Sequence, residues 1–149
     1  MPILLNPQMM RQIIMDHYDH PNNKREPKHN NYLSINMNSE NCIDDITVFL
    51  DVKDDIVVDC CFTGVACTIS TASTDIMCDL VVNKSLKDAK YIIEQFENMI
   101  HELPYDESVL DEAIVFMNTS KQAARIKCAT IGWTALDNMV CNCEKCQKK

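Results

Sequence analysis

The sequence predicts an α+β domain in which a small antiparallel sheet of about three strands packs against helices. Two observations carry that prediction. Apolar residues alternate with period two over 45–62, in two runs separated by a short polar break. Beyond Gly64 the period changes to that of a helix and stays helical for most of the remaining chain. A run of strands followed by a run of helices is the α+β arrangement, because no strand–helix–strand unit is present to build a parallel sheet.

Each element has its own signal. Asn6-Pro7 reads as an N-cap followed by proline at the first helical position. Met10, Ile13, Ile14 and His17 then recur at helical spacing until Pro21 stops the helix. "HPNNKREPKHNN" is polar and proline-bearing, a loop, with a short extended piece expected from Tyr32 to Met37. "DITVFLDV" places Ile46, Val48, Leu50 and Val52 on one face, and "DIVVDCCF" does the same with Ile56, Val58, Cys60 and Phe62. The intervening "KDD" is short enough for a hairpin, so the two strands should be antiparallel. Ile69, Ala72, Ser73, Ile76, Met77 and Leu80 fit the next helix. Ser85 with Asp88 three residues on approximates a capping box before the stripe Ala89, Ile92, Ile93, Phe96, Ile100. "HELPYDES" breaks that helix, "ESVLDEAIVFM" offers a third helical pattern, and "CATIGWTALDNMV" a last one ending near Asn142. The expected division is one domain over 1–140 and a cysteine-rich, mobile tail over 141–149.

Composition narrows the function. A chain of 149 residues, 46% of them apolar, suffices for one domain with its own core. A formal net charge of -8 excludes nucleic acid as a general partner and leaves an acidic surface suited to basic protein surfaces. No apolar run is long enough to cross a bilayer, and "MPILLNPQMMRQ" lacks the pattern of a signal peptide, so the expected location is cytoplasmic with no membrane partner. Nine cysteines, at 42, 60, 61, 67, 78, 128, 141, 143 and 146, argue by their odd number against a closed set of disulfides. In a reducing compartment such clustering points to metal or thiol chemistry.

The cysteines divide by context. Cys60 and Cys61 occupy adjacent strand positions and face opposite ways, which suits packing; Cys78, inside a helix, reads as core. Cys42 lies in "NCIDD", a polar turn, two residues from Asp44, so both can reach one metal ion; taken alone, an exposed thiol beside a turn aspartate is the simpler reading of the pair. Cys67 sits where the second strand gives way to a helix, with Gly64 freeing the backbone just before the turn. A helix start stabilises a thiolate, yet a small buried cysteine fits as well, and both readings stand from this feature alone. Cys128 in "ARIKCATIGW" is again placed near a helix start, with Arg125 and Lys127 as cations that favour a thiolate; a core-facing cysteine flanked by solvated cations is the alternative. "CNCEKC" at 141–146 has the density of a metal-binding tract at a chain end. The histidines form no motif, and surface roles are expected for His17 and His20.

Taken together, C-x-D at 42–44, G-x-x-C at 64–67 and R-x-K-C at 125–128, with the opening "RQIIMDHYDHPNN", resemble the scaffold family of iron–sulfur cluster assembly, the IscU/NifU N-terminal type. The resemblance spans roughly residues 8–140. Lys127 stands where IscU-type members carry histidine, and the long interval from Cys67 to Cys128 holds an additional segment, so the chain looks most like the SufU subtype. Ile43 and Ala66 stand where the family usually has glycine, which restricts the backbone beside two ligands.

The resemblance implies one Zn²⁺ held by Cys42, Asp44, Cys67 and Cys128, with Arg125 and Lys127 as nearby cations that offset its excess negative charge. It implies Cys42 as the catalytic thiol, released when a histidine of a SufS-type cysteine desulfurase takes its place and then accepting persulfide sulfur for downstream Fe–S assembly proteins. In that role the chain is a sulfurtransferase-like partner and not a stand-alone enzyme. The alternatives are a scaffold on which a [2Fe–2S] cluster or iron is assembled, and a structural zinc module that docks partners.

Overall fold

The computed structural model describes residues 6–38 and 43–147. Its elements are α1 (Pro7–Asp19), β1 (Leu33–Asn38), β2 (Asp45–Lys53), β3 (Ile56–Val65), α2 (Thr68–Val81), α3 (Leu86–Ile100), three short 3₁₀ turns (Glu107–Val109, Asp111–Phe116, Thr119–Lys121) and α4 (Ala123–Gln147). The capping signals act as expected. Asn6 accepts from the Met9 amide at 2.8 Å with Pro7 opening α1, and Ser85 accepts from the Asp88 amide at 3.0 Å to open α3.

The sheet has order β1-β2-β3 and is antiparallel throughout. Ile46, Val48 and Leu50 of β2 are fully buried, as their alternation requires. The hairpin turns through Asp54 and Asp55, both at positive φ (51° and 65°), the backbone sense that matches the twist of the flanking strands. Alternation assigned the wrong residues to the inner face at the start of β3. Pairing steps from Asp51↔Asp59 to Val52↔Val57, so Val58 is the extra residue of a bulge. The bulge exposes Ile56 and Val58 and puts Val57 inside, while Cys60 and Phe62 keep the expected side.

Gly64 is still within β3 and pairs with Ile46. Its φ is +120°, and a Cβ there would lie 2.0 Å from the Asp45 carbonyl oxygen. The glycine is therefore required by the close approach of β2 as well as by the backbone's exit toward α2.

Helix α2 runs through the middle of the molecule. Every residue from Ser70 to Cys78 is buried, with α1, α4 and β3 among its neighbours. Gly132 lets α4 lie close: a Cβ there would be 2.4 Å from Thr74 Oγ1. Trp133 stacks flat on Phe96 of α3 with centroids 4.0 Å apart, and its indole N–H donates to Ser73 Oγ at 3.0 Å, which in turn donates to the Ala129 carbonyl at 2.6 Å. The α3 stripe Ala89, Ile92, Ile93, Phe96 and Ile100 is wholly buried.

Two helical boundaries differ from expectation. The third helical pattern forms 3₁₀ turns, with Leu110, Ala113, Val115 and Phe116 buried and intervening acidic residues outside; tertiary anchoring holds a segment too interrupted for an α-helix. The last helix begins at Ala123, ahead of Cys128, and continues to Gln147, beyond the end expected near Asn142. Among the described residues, no helix is long and apolar enough to cross a membrane.

Candidate metal centre

Three parts of the chain converge beside the start of α2. Asp44, only 2% exposed, immediately precedes β2. Cys67 is the N-cap of α2; its sulfur accepts from the Ser70 amide at 3.4 Å. Cys128 is buried in the second turn of α4, where its thiol donates to the Ala124 carbonyl at 3.7 Å. One ligand atom from each of Asp44, Cys67 and Cys128 lies within 4.8 Å of the others. Cys42 lies outside the described residues, two positions before Asp44. The following residue, Ile43, is 66% exposed.

The local chemistry fits a cation. Asp44 Oδ1 accepts from the Cys67 amide at 2.8 Å and Oδ2 from the Ser70 hydroxyl at 2.6 Å, so the carboxylate is oriented at the helix start. Burial, reinforced by the neighbouring Cys67 and Asp44, pushes the Cys128 thiol up to about 12. Ionised together, two sulfurs and a carboxylate in this largely buried position would repel one another, and a divalent cation at their centre would remove that penalty. In a tetrahedral zinc site with Zn–S near 2.3 Å the ligand atoms stand roughly 3.5–4 Å apart, compatible with the observed cluster. Arg125 and Lys127 lie on α4 with exposed side chains, three residues and one residue ahead of Cys128.

Ser70 was not among the residues singled out by sequence. The signal was available: it stands three residues after the N-cap Cys67, the position that reaches back in a capping box.

His17 corrects the surface role expected for it. It is buried, with Nδ1 2.5 Å from Asp75 Oδ2 and Nε2 3.2 Å from Glu112 Oε1. Asn23 completes the network, donating its amide to Asp75 Oδ1 at 2.8 Å and its side-chain N–H to Asp79 Oδ1 at 2.9 Å. The hydrogen bond that His17 donates to Asp75 raises the histidine to about 9, against the opposing effect of burial. His17, Asp75 and Asp79 are close enough to hold a metal, but their geometry is already satisfied as an imidazolium between carboxylates. The helical spacing of His17 with Met10, Ile13 and Ile14 marked it as inward-facing.

The remaining described cysteines are placed by packing. Cys60 and Cys78 are fully buried in the core, and Cys61, on the opposite face of β3, is pushed up to about 11 chiefly by burial. Cys141 sits on α4, where Lys90 donates to its sulfur at 3.2 Å; Cys143 and Cys146 belong to the same helix.

An antiparallel three-stranded sheet covered by helices, with a cysteine–carboxylate cluster where a strand passes into the central helix, defines an α+β domain with a candidate metal centre. The chain belongs to the family described as the NifU-like N terminal domain, which it matches over residues 9–148. It is 37% identical over 133 residues to the zinc-dependent sulfurtransferase SufU of Bacillus subtilis, covering 89% of each chain. It is 31% identical over 134 residues to the iron–sulfur cluster assembly scaffold protein IscU of Streptococcus pyogenes, covering 86% of this chain and 80% of that one. Among solved structures it resembles a putative iron–sulfur cluster assembly scaffold protein for the SUF system from Fervidobacterium islandicum, with TM-score 0.79 and 28% identity over 85% of this chain and 92% of that chain.

Proposed function

We propose that this protein serves iron–sulfur cluster assembly as a zinc-bound sulfur acceptor working with a cysteine desulfurase in the cytoplasm. The observation that carries the reading is the convergence of Asp44, Cys67 and Cys128. Cys42, two residues before Asp44, is the proposed fourth ligand and the thiol that accepts sulfur. Likeness to a zinc-dependent sulfurtransferase favours zinc as the resident metal, and a Cys₃Asp set is a donor combination zinc accepts.

When bound, zinc holds thiols in the ionised form at neutral pH. The chain's own residues supply the rest. Asp44 is fixed by the Cys67 amide and the Ser70 hydroxyl, and Cys128 is held in the wall of α4. In the transfer step the Cys42 thiolate attacks the outer sulfur of the desulfurase persulfide. A new S–S bond forms on Cys42, the persulfide S–S bond breaks, and the desulfurase cysteine leaves as a thiolate, with no external oxidant or reductant. Exposed Arg125 and Lys127 are proposed to moderate the negative charge of the assembled site.

Likeness to IscU supports a second reading, in which the same ligands carry a nascent [2Fe–2S] cluster. Metal analysis of protein purified without added metal separates the two: stoichiometric zinc is expected, whereas iron with sulfide and visible absorption selects the scaffold. Incubation with a SufS-type desulfurase and cysteine should add one sulfur to Cys42, read by mass spectrometry of the peptides. Cys42→Ala should abolish both that gain and the acceleration of the desulfurase; normal acceleration by this variant rejects the acceptor assignment. Desulfurase binding with no acceleration by the wild type would leave only a structural docking role.

A further inference from the structure

We propose that Ser70 is a positioning residue of the metal centre, its hydroxyl holding Asp44 and its backbone amide holding Cys67 in the arrangement that receives the metal. The inference rests on the metal-binding reading above and assigns the residue that maintains its geometry. Ser70 Oγ lies 2.6 Å from Asp44 Oδ2 and 3.3 Å from Cys67 Sγ, and the residue is fully buried. A hydroxyl has one proton and two lone pairs. The short contact to an acceptor-only carboxylate places the proton on the Asp44 side, so Ser70 faces Cys67 with a lone pair. Cys67 has its own donor in the Ser70 amide at 3.4 Å. One residue thus addresses two proposed ligands through separate groups.

The consequence for Asp44 is geometric. Each carboxylate oxygen has one donor, Cys67 N–H on Oδ1 and Ser70 O–H on Oδ2. Each keeps a further lone pair with which to meet a cation. Two donors from the same helix turn fix both the position and the rotation of the group; one alone leaves rotation free. In a site with Ser70 fully buried, water is poorly placed to replace the lost donor. Groups that orient metal ligands in this way typically change affinity about 10–100-fold when removed.

The test compares wild type, Ser70→Ala and Ser70→Thr. Zinc affinity is measured by chelator competition, and each protein is loaded with Co²⁺ to record its ligand-field spectrum. Ser70→Ala should bind zinc about 10-fold or more weakly, with altered cobalt bands, and Ser70→Thr, which keeps the hydroxyl, should restore both. Ser70→Ala with wild-type affinity and an unchanged cobalt spectrum overturns the proposal, as does an apo-protein stability loss accompanied by an unchanged spectrum. If the wild type itself takes up neither metal, the metal-binding reading fails first.

Discussion

His17 is held protonated in the interior because its two ring N–H groups each meet a carboxylate, Nδ1 that of Asp75 and Nε2 that of Glu112. The hydrogen bond to Asp75, with a smaller contribution from Glu112, outweighs burial, and the folded value rises from 6.5 to about 9. A raised value means the folded state holds the proton more tightly. This contribution to stability is fully present below pH 6.5 and is lost as pH rises through about 9. Urea unfolding across that window should show the decline, and His17→Gln should be less stable at neutral pH with a flatter dependence; an unchanged slope would remove His17 as its source. Gly64 gives a second prediction at this scale. Gly64→Ala faces both a positive φ and the Asp45 carbonyl, so it should lose about 2–3 kcal/mol in equilibrium unfolding. The spacing Gly64-x-x-Cys67 was visible in the sequence. So was its backbone freedom; the close approach was not, because the atom the glycine avoids belongs to a neighbouring strand that only the fold brings near.

At the scale of elements, the contact of α2 with α4 depends on the absence of one side chain. A methyl at Gly132 would press on Thr74, whose hydroxyl donates to the Ser70 carbonyl at 2.8 Å. Gly132→Ala gains helix propensity of about 1 kcal/mol. Overpacking opposes it by about 1–3 kcal/mol, so the net change should be destabilising. Adding Thr74→Ala should recover part of the loss, giving a favourable coupling in a double-mutant cycle read by thermal unfolding. No recovery would place the strain elsewhere. Elements with a strong local period were legible: the α3 stripe and the inner face of β2 appear as read. The misreadings lie where tertiary context overrides period. Val58 bulges from β3 and exchanges the faces of Ile56 and Val57, and the 107–121 segment is held as 3₁₀ turns by a few buried anchors. Ala123 begins the last helix ahead of its apolar stretch, because exposed Ala124, Arg125 and Lys127 form helix without presenting an inward period.

For the whole molecule, the proposed centre joins regions far apart in the chain: the approach to β2, the start of α2 and the second turn of α4. The ligand spacing alone brought Asp44, Cys67 and Cys128 together through a family resemblance; physical periodicity could not, since their convergence depends on α4 packing along α2. A metal bound by all three is bound by the folded state, so its binding free energy adds to stability by mass action. Free zinc at 100 times its dissociation constant would contribute about 2.7 kcal/mol, and in a chain of this size each kcal/mol moves the melting temperature by roughly 2–4 °C. Chelation should therefore lower the melting temperature by roughly 5–10 °C, and stoichiometric zinc should restore it. Hydrogen exchange should accelerate on metal removal at the start of α2 and around Cys128, where the ligands reside. The His17–Asp75–Asn23 network fastens α1 and its following loop to α2 without using these ligands, so amides there should change least. Uniform acceleration would show the metal acting on the whole fold at once, and no change in either quantity would remove it from the stability of this protein.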